Sequence, residues 1–205
     1  MASKKSDNLL YRHPFFIGIS VFLVILIITQ AIAYQRYLLN LSQIEKENTE
    51  ELNKITDQLQ FNLNYALSTT QTLTFIVENY GIPQNFDTIG KKLLETNELL
   101  DGIQLLENGV ITKMYPMEGN EMVIGYDVVN DPGRGKEVLI AAEKGQMYFA
   151  GPFELKQGGL GVVGRVPLKI ENDSLAFAAV VIRLEKLFEK SGINNKSNRF
   201  EYQLS

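Results

Sequence analysis

FFIGISVFLVILIITQAIAY, residues 15–34, contains no charged side chain. As a helix, about 20 residues at roughly 1.5 Å each give about 30 Å, the thickness of a bilayer's hydrocarbon core. A helix pairs its own backbone N–H and C=O groups, which lipid cannot do for it. Arg12 and Arg36 bracket the run. The stretch therefore reads as a transmembrane helix over residues 15–35, preceded by a cytoplasmic tail of residues 1–14. Lys4, Lys5 and Arg12, against the single Asp7, set that orientation. Ala31-Ile32-Ala33 has the form of a signal-peptidase site. The apolar run is longer than the roughly 7–15 residues of a signal-peptide core, and helix-forming sequence continues past it. An uncleaved anchor is favoured over a removed signal. Either reading puts the bulk of the chain outside the cytoplasm, in a periplasm-like compartment, with the lipid bilayer as one partner.

Composition narrows what that exported part does. About 170 residues follow the span, enough for one domain with a real core. Residues 1–36 hold four of the chain's 20 basic residues and one of its 24 acidic ones, so the remainder has 16 against 23, a net charge of −7. That balance argues against nucleic-acid binding, which needs a basic face. Cysteine is absent, so neither disulfides nor thiolate chemistry arise. The single histidine, His13, sits at the membrane edge. Ser-His-Asp catalysis and histidine-ligated metal sites are thereby excluded from the exported part. No enzyme constellation and no cofactor are expected.

From Arg36 to Tyr80 there is neither proline nor glycine. Leu41, Ile44, Leu52, Ile55, Leu59, Leu63, Ala66, Leu67, Leu73 and Val77 recur at steps of three and four, with acids and lysines between them. This is an amphipathic stalk helix, residues 36–82, continuing the span. Gly81-Ile82-Pro83 stops it. The apolar face either packs on its own domain or also pairs with a second copy, and a homodimer through the stalk is the expectation, although the spacing drifts from a strict heptad.

Residues 83–192 read as one domain. Asn85 or Asp87 is placed to cap a helix over residues 88–98. Residues 103–107 and 110–115 look like strands joined at Asn108-Gly109, a strong hairpin signal. Asp131-Pro132-Gly133 opens a helix over residues 134–144 that Gly145 ends. Strands are expected over residues 147–149, stopped by Gly151-Pro152, and over 162–170 and 175–182, joined by the polar turn 171–174. A short helix over residues 184–190 follows. The order gives an α+β class: an antiparallel sheet flanked by helices. Residues 194–199 read as a linker, and residues 200–204 alternate like the start of another strand.

Two motifs fail on context. Gly159-Leu160-Gly161-Val162-Val163-Gly164 fits G-x-G-x-x-G. A dinucleotide site needs a helix to follow, yet Pro167 stands where that helix would run, so a glycine hairpin is the better reading. Glu118, Glu121, Asp127 and Asp131 lack the alternating spacing of a calcium loop and read as a solvated acidic loop.

One ordered block remains. It comprises Tyr115-Pro116-Met117-Glu118-Gly119-Asn120-Glu121, Ile124-Gly125-Tyr126-Asp127, Arg134, Ala141-Ala142-Glu143-Lys144-Gly145, Phe149-Ala150-Gly151-Pro152-Phe153, Gln157-Gly158-Gly159 and Gly164-Arg165-Val166-Pro167. This order resembles the CHASE domain, the extracytoplasmic sensor of plant cytokinin receptors and many bacterial membrane receptors, over roughly residues 98–182. The resemblance implies a PAS-like ligand-binding module that precedes a histidine kinase, diguanylate cyclase or similar output and is not itself an enzyme. It implies a ligand-contacting acid near Glu118 and an apolar wall including Leu139, Ile140 and Phe149. Ala150 stands where the plant members carry a ligand-contacting threonine, so cytokinin is not the expected ligand. Residues 193–205 would then be a linker and the first strand of a membrane-proximal subdomain in a longer receptor. The expected function is small-molecule or peptide ligand sensing through a mostly apolar pocket with Glu118, Asp127, Arg134 and Arg165 as polar anchors. The rival reading is an anchored interaction protein of the envelope with no small ligand.

Overall fold

The computed structural model describes residues 14–170 and 175–193. The N-terminal tail with Arg12 and His13, the polar turn at 171–174 and the linker and strand start at 194–205 lie outside the described residues. The chain divides into two units, Met1–Asn53 and Lys54–Ser205.

The first unit is helical throughout its described part, within α1 (Pro14–Tyr80, 67 residues). α1 covers the residues read above as span and most of those read as stalk, ending at Tyr80. It is long and apolar enough to cross a membrane: its most apolar window has a mean hydropathy of 2.7 and no buried residue.

In the second unit α1 packs by its apolar stripe. Leu59, Leu63, Ala66, Leu73 and Val77 enter the core, the same positions that the three- and four-residue spacing picks out. Helix α2 (Phe86–Thr96) starts two residues before the expected position. Asn85 holds the cap position but makes no capping bond with its side chain. Burial of Phe86 sets the start in its place. Strands β1 (Gly102–Glu107) and β2 (Val110–Tyr115) pair antiparallel. Asn108 and Gly109 both take positive φ, 50° and 79°, as a tight hairpin turn between twisted strands requires. A 3-10 turn, Glu121–Val123, leads to α3 (Gly135–Lys144), which Gly145 closes in the left-handed conformation.

Strand β3 (Tyr148–Glu154) does not stop at Gly151-Pro152, where the sequence reading ends it. The dipeptide is absorbed as an irregularity in register between Ala150 and Phe153. The sheet order, β2-β1-β5-β4-β3, explains the tolerance. β3 is an edge strand, so proline's missing N–H costs no ladder bond on the open side. β4 (Leu160–Pro167) follows, then β5 (Phe177–Arg183) and α4 (Leu184–Lys190). All four strand pairs are antiparallel. The glycine motif lies in the β3–β4 hairpin. Gly158 and Gly159 make the turn with φ of 84° and 80°, and a Cβ on Gly161 would approach the Ile182 carbonyl to 2.9 Å. A hairpin, not a helix N-terminus, follows those glycines.

The sheet has two covered faces. On one, Ile103, Leu105, Ala178, Val180 and Ile182 meet α1, α2 and Leu187 of α4. On the other, Leu106, Met114, Val163, Phe177, Ala179 and Val181 meet Val138 and Ala141 of α3. Buried polar groups on the α1 side are paired. Asn97 donates to Thr69 Oγ1 at 3.1 Å and accepts from the Leu99 N–H at 3.2 Å. Asn62 donates to Ser191 Oγ at 3.0 Å, tying α1 to the end of α4.

Leu73 is fully buried, whereas Leu139 on α3 is 51% exposed. Leu73→Ala is expected to lower unfolding free energy by about 2–5 kcal/mol. Leu139→Ala should stay within about 0.5 kcal/mol of the parent. Denaturant unfolding of the full chain in detergent checks both.

Candidate ligand-binding cleft

The α3-side face of the sheet does not close completely. Beyond α3, a cleft is lined by Gln104 of β1, Val163 and Arg165 of β4, Val181 of β5, and side chains from the loops on either side. Tyr126 and Arg134, from the segment between β2 and α3, Phe153 of edge strand β3 and Lys156 of the β3–β4 turn complete the lining. Strand alternation dictates which residues arrive. Gln104 falls between Ile103 and Leu105, which face the α1 side, so it must face the cleft. Arg165 falls between Gly164 and Val166 in the same way, and pairs with Ala179 across the ladder.

Arg165 is the unusual member. It is only 3% exposed. Its Nε and Nη1 are buried without a hydrogen-bond partner, as is Glu137 Oε2 on α3. Burial pushes the Arg165 pKa down to about 10, with the Glu137 charge opposing that shift and the Arg134 charge adding to it. At neutral pH the guanidinium therefore stays charged. No ion pair joins Arg165 to Glu137 among the described residues.

The mouth is built from stacked cations and rings. The Arg134 guanidinium lies 4.6 Å from the Phe153 ring centre and 5.6 Å from that of Tyr126, and it donates to the Glu154 carbonyl. Lys156 Nζ lies 4.4 Å from the Tyr126 ring centre. These are cation–π distances. The Tyr126 hydroxyl donates to Asp131 Oδ2. Burial, then that bond, push the Tyr126 pKa up to about 12. The same hydrogen bond holds the Asp131 carboxyl below its ordinary value. With these side chains in place the cleft encloses about 20 Å³, room for one water.

Of the residues expected at a site, Arg134 and Arg165 meet here. Ala150 is buried and pairs with Val163, sharing the cleft side of the sheet. Phe149 packs with the opposite, α1-side core. Glu118 is exposed in the loop after β2, outside the cleft lining. Asp127 caps a turn, accepting from the Asn130 N–H at 3.0 Å and from Asn130 Nδ2 at 2.7 Å. Leu139 is exposed and Ile140 half-buried on α3. The sequence reading missed Gln104, Tyr126, Phe153 and Lys156. A polar residue inside the apolar strand GIQLLE was the available signal for Gln104; Tyr126 and Phe153 had none beyond their place in the ordered block, and Lys156 had none.

With the geometry in view, the fold class is plain: a long helix followed by a five-stranded antiparallel sheet with helices, the layout of PAS-like sensor domains. It is similar to the extracellular domain of the putative histidine kinase soHK1S-Z6, with TM-score 0.59 and 17% identity over 78% of this chain and 67% of that one. An extracellular ligand-binding receptor from Desulfohalobium retbaense matches with TM-score 0.56 and 13% identity over 67% of this chain. This chain spans only 26% of that receptor's length. The sensor domain of the V. cholerae histidine kinase DctB matches with TM-score 0.50 and 15% identity, over 74% of this chain and 60% of that one. At such identities the likeness is one of fold. No curated protein sequence matches. The CHASE domain profile matches residues 49–205, and the chain belongs to the CHASE domain family, a family of sensory rather than catalytic domains.

The depressed Asp131 carboxyl gives a pH signature. Stability from a lowered carboxyl is full above the unfolded-chain value near about 4 and is lost as pH falls through the folded value. Tyr126→Phe removes the hydrogen bond. Its deficit in unfolding free energy relative to the parent should be constant between about pH 5 and pH 9 and shrink as pH falls below about 4. Denaturant unfolding of both proteins at pH 3 and pH 7 measures this.

Proposed function

We propose that this chain is the sensing part of a transmembrane receptor whose output is a histidine kinase or a diguanylate cyclase. Residues 15–35 cross the membrane, residues 36–82 form the stalk, and residues 83–192 form the sensor on the extracytoplasmic side. One observation supports this above the others: the sheet is bonded to α1 on one face and carries on the other a cleft with a buried cation, Arg165, whose Nε and Nη1 have no hydrogen-bond partner. A ligand in that cleft touches β4, and β4 is tied to α1. The Lys169 N–H, just beyond the end of β4, donates to Glu78 Oε1 at 2.7 Å. Arg165 lies on the same strand, four residues earlier. Ligand binding would act through a difference in affinity between two positions of the strand against the helix.

The stalk supports a dimer. Phe61 and Phe75, 14 residues apart and so on nearly the same side of α1, are 62% and 58% exposed, and offer the apolar surface for it. The ligand anchors are Arg134 and Arg165, with Gln104 and Tyr126 as further polar contacts.

Because the chain has no cysteine, introduced ones report cleanly. Glu118→Cys should react with a membrane-impermeant maleimide in intact cells, and Phe61→Cys should form disulfide-linked dimers in membranes while Glu118→Cys does not. Labelling of Glu118→Cys only after lysis would sink the proposed topology. The sensing role is tested by thermal unfolding of the full chain in nanodiscs against a library of metabolite-sized compounds. At least one should raise Tm in a concentration-dependent way. A library without any stabiliser leaves an anchored envelope spacer as the better description.

A further inference from the structure

Resting on the sensing role, we propose that the cleft takes a small organic carboxylate, with Arg165 as its anchor and Arg134 and Lys156 as the cations at its mouth.

Three features carry this. First, Arg165 is almost fully buried, lines the cleft, and has Nε and Nη1 without protein partners. Buried polar groups in native proteins are nearly always paired, and a buried unpaired charge is costly enough that a role must offset it. Secondly, the lining contains Arg134, Lys156 and Arg165 and no acidic side chain. The exported part is acidic overall, so this concentration of positive charge runs against its composition. Thirdly, the other polar lining groups, Gln104, Tyr126 and Gln157, are uncharged. Nothing in the lining would neutralise an ammonium group, whereas the guanidinium's planar fork matches a carboxylate.

Glu137 does not fill the role of counter-ion. Its Oε2 is itself buried without a hydrogen bond and forms no ion pair with Arg165 among the described residues. It tempers the charge of Arg165 without satisfying its donors.

Size sets a further condition. The cleft holds about 20 Å³ as it stands. An organic acid enters only when the half-buried Arg134 swings off Phe153 and the exposed Lys156 off Tyr126. Both are surface-reaching side chains, so the opening needs no change in the sheet.

The test uses the full chain in nanodiscs, followed by thermal unfolding. The probes are succinate, 4-aminobutanoate, lactate and benzoate, the neutral amide of each, inorganic phosphate, and adenine as a neutral purine. A carboxylate should raise Tm where its amide does not. Arg165→Lys keeps the charge but loses the fork, and should weaken that carboxylate's binding by at least about ten-fold. Arg134→Gln, a change at the cleft mouth that leaves the core intact, should weaken it several-fold and gives the readout if the buried substitution fails to fold. An amide or adenine that stabilises parent and Arg165→Lys equally would overturn the anion assignment and leave the sensing role standing. Phosphate matching the best carboxylate would overturn the carboxylate assignment. No shift from any of these probes also overturns it, and no shift from the wider library removes the sensing role as well.

Discussion

Strand β5 is buried on both faces, and the architecture follows from that. Ala176 to Val181 are at most 1% exposed, and Ile182 is fully buried. A strand like this is stable only if something apolar covers each side of the sheet. α1, α2 and α4 cover one side, and α3 with the loop after β2 covers the other. The alanines at 176, 178 and 179 matter as much as the valines. They leave depth for the larger side chains of the neighbouring elements, Leu73 and Val77 on one side and Val138 on the other. The two layers are unequal in strength. The first is made of three helices and fixed by buried amide and hydroxyl bonds, while the second is a single ten-residue helix and a loop.

That inequality puts the cleft where it is. A sheet face covered by one short helix has an uncovered end, and here the end is filled by long polar side chains in place of apolar ones. Arg165 is the clearest cost. An apolar residue of similar volume at that place on β4 would suit the surrounding Val163 and Val181 better, since a buried charge lacking a full set of partners is a net burden on stability. Arg134 and Lys156 lie over aromatic rings and shield the opening without plugging it with core. Stability has been given up locally, and the well-paired α1 side makes that tolerable.

How much of this was legible in the sequence varied with the kind of signal. The α1 stripe was legible because helical periodicity repeats over many turns, so Leu59, Leu63, Leu73 and Val77 could be named in advance. The β1–β2 hairpin was legible because Asn108-Gly109 has few alternatives between apolar runs. The end of β3 was misread at Gly151-Pro152 because proline's effect depends on whether its strand is central or at an edge, and sheet order is a tertiary fact. The start of α2 was placed two residues late: of the two candidate caps, Asn85 holds the cap position, and the buried Phe86 already belongs to the helix. In the cleft, Arg134 and Arg165 were visible as charged residues inside an ordered block. Tyr126 and Phe153 stood in the same block without a mark of function, and Lys156 stood outside it; a loop, an edge strand and a hairpin turn bring them together only in the folded chain. Glu118 and Asp127 drew attention as acids, yet one is solvated and the other serves a turn.

The shut mouth over Arg165 has a consequence for how such a module would be tuned. When a binding-competent form is only a fraction of the population, apparent affinity falls by that fraction. Strengthening or loosening the stacks of Arg134 on Phe153 and Lys156 on Tyr126 would alter that fraction and leave Arg165 in place. On the proposed reading, the concentration needed for binding would depend on the lip of the cleft as well as on its floor.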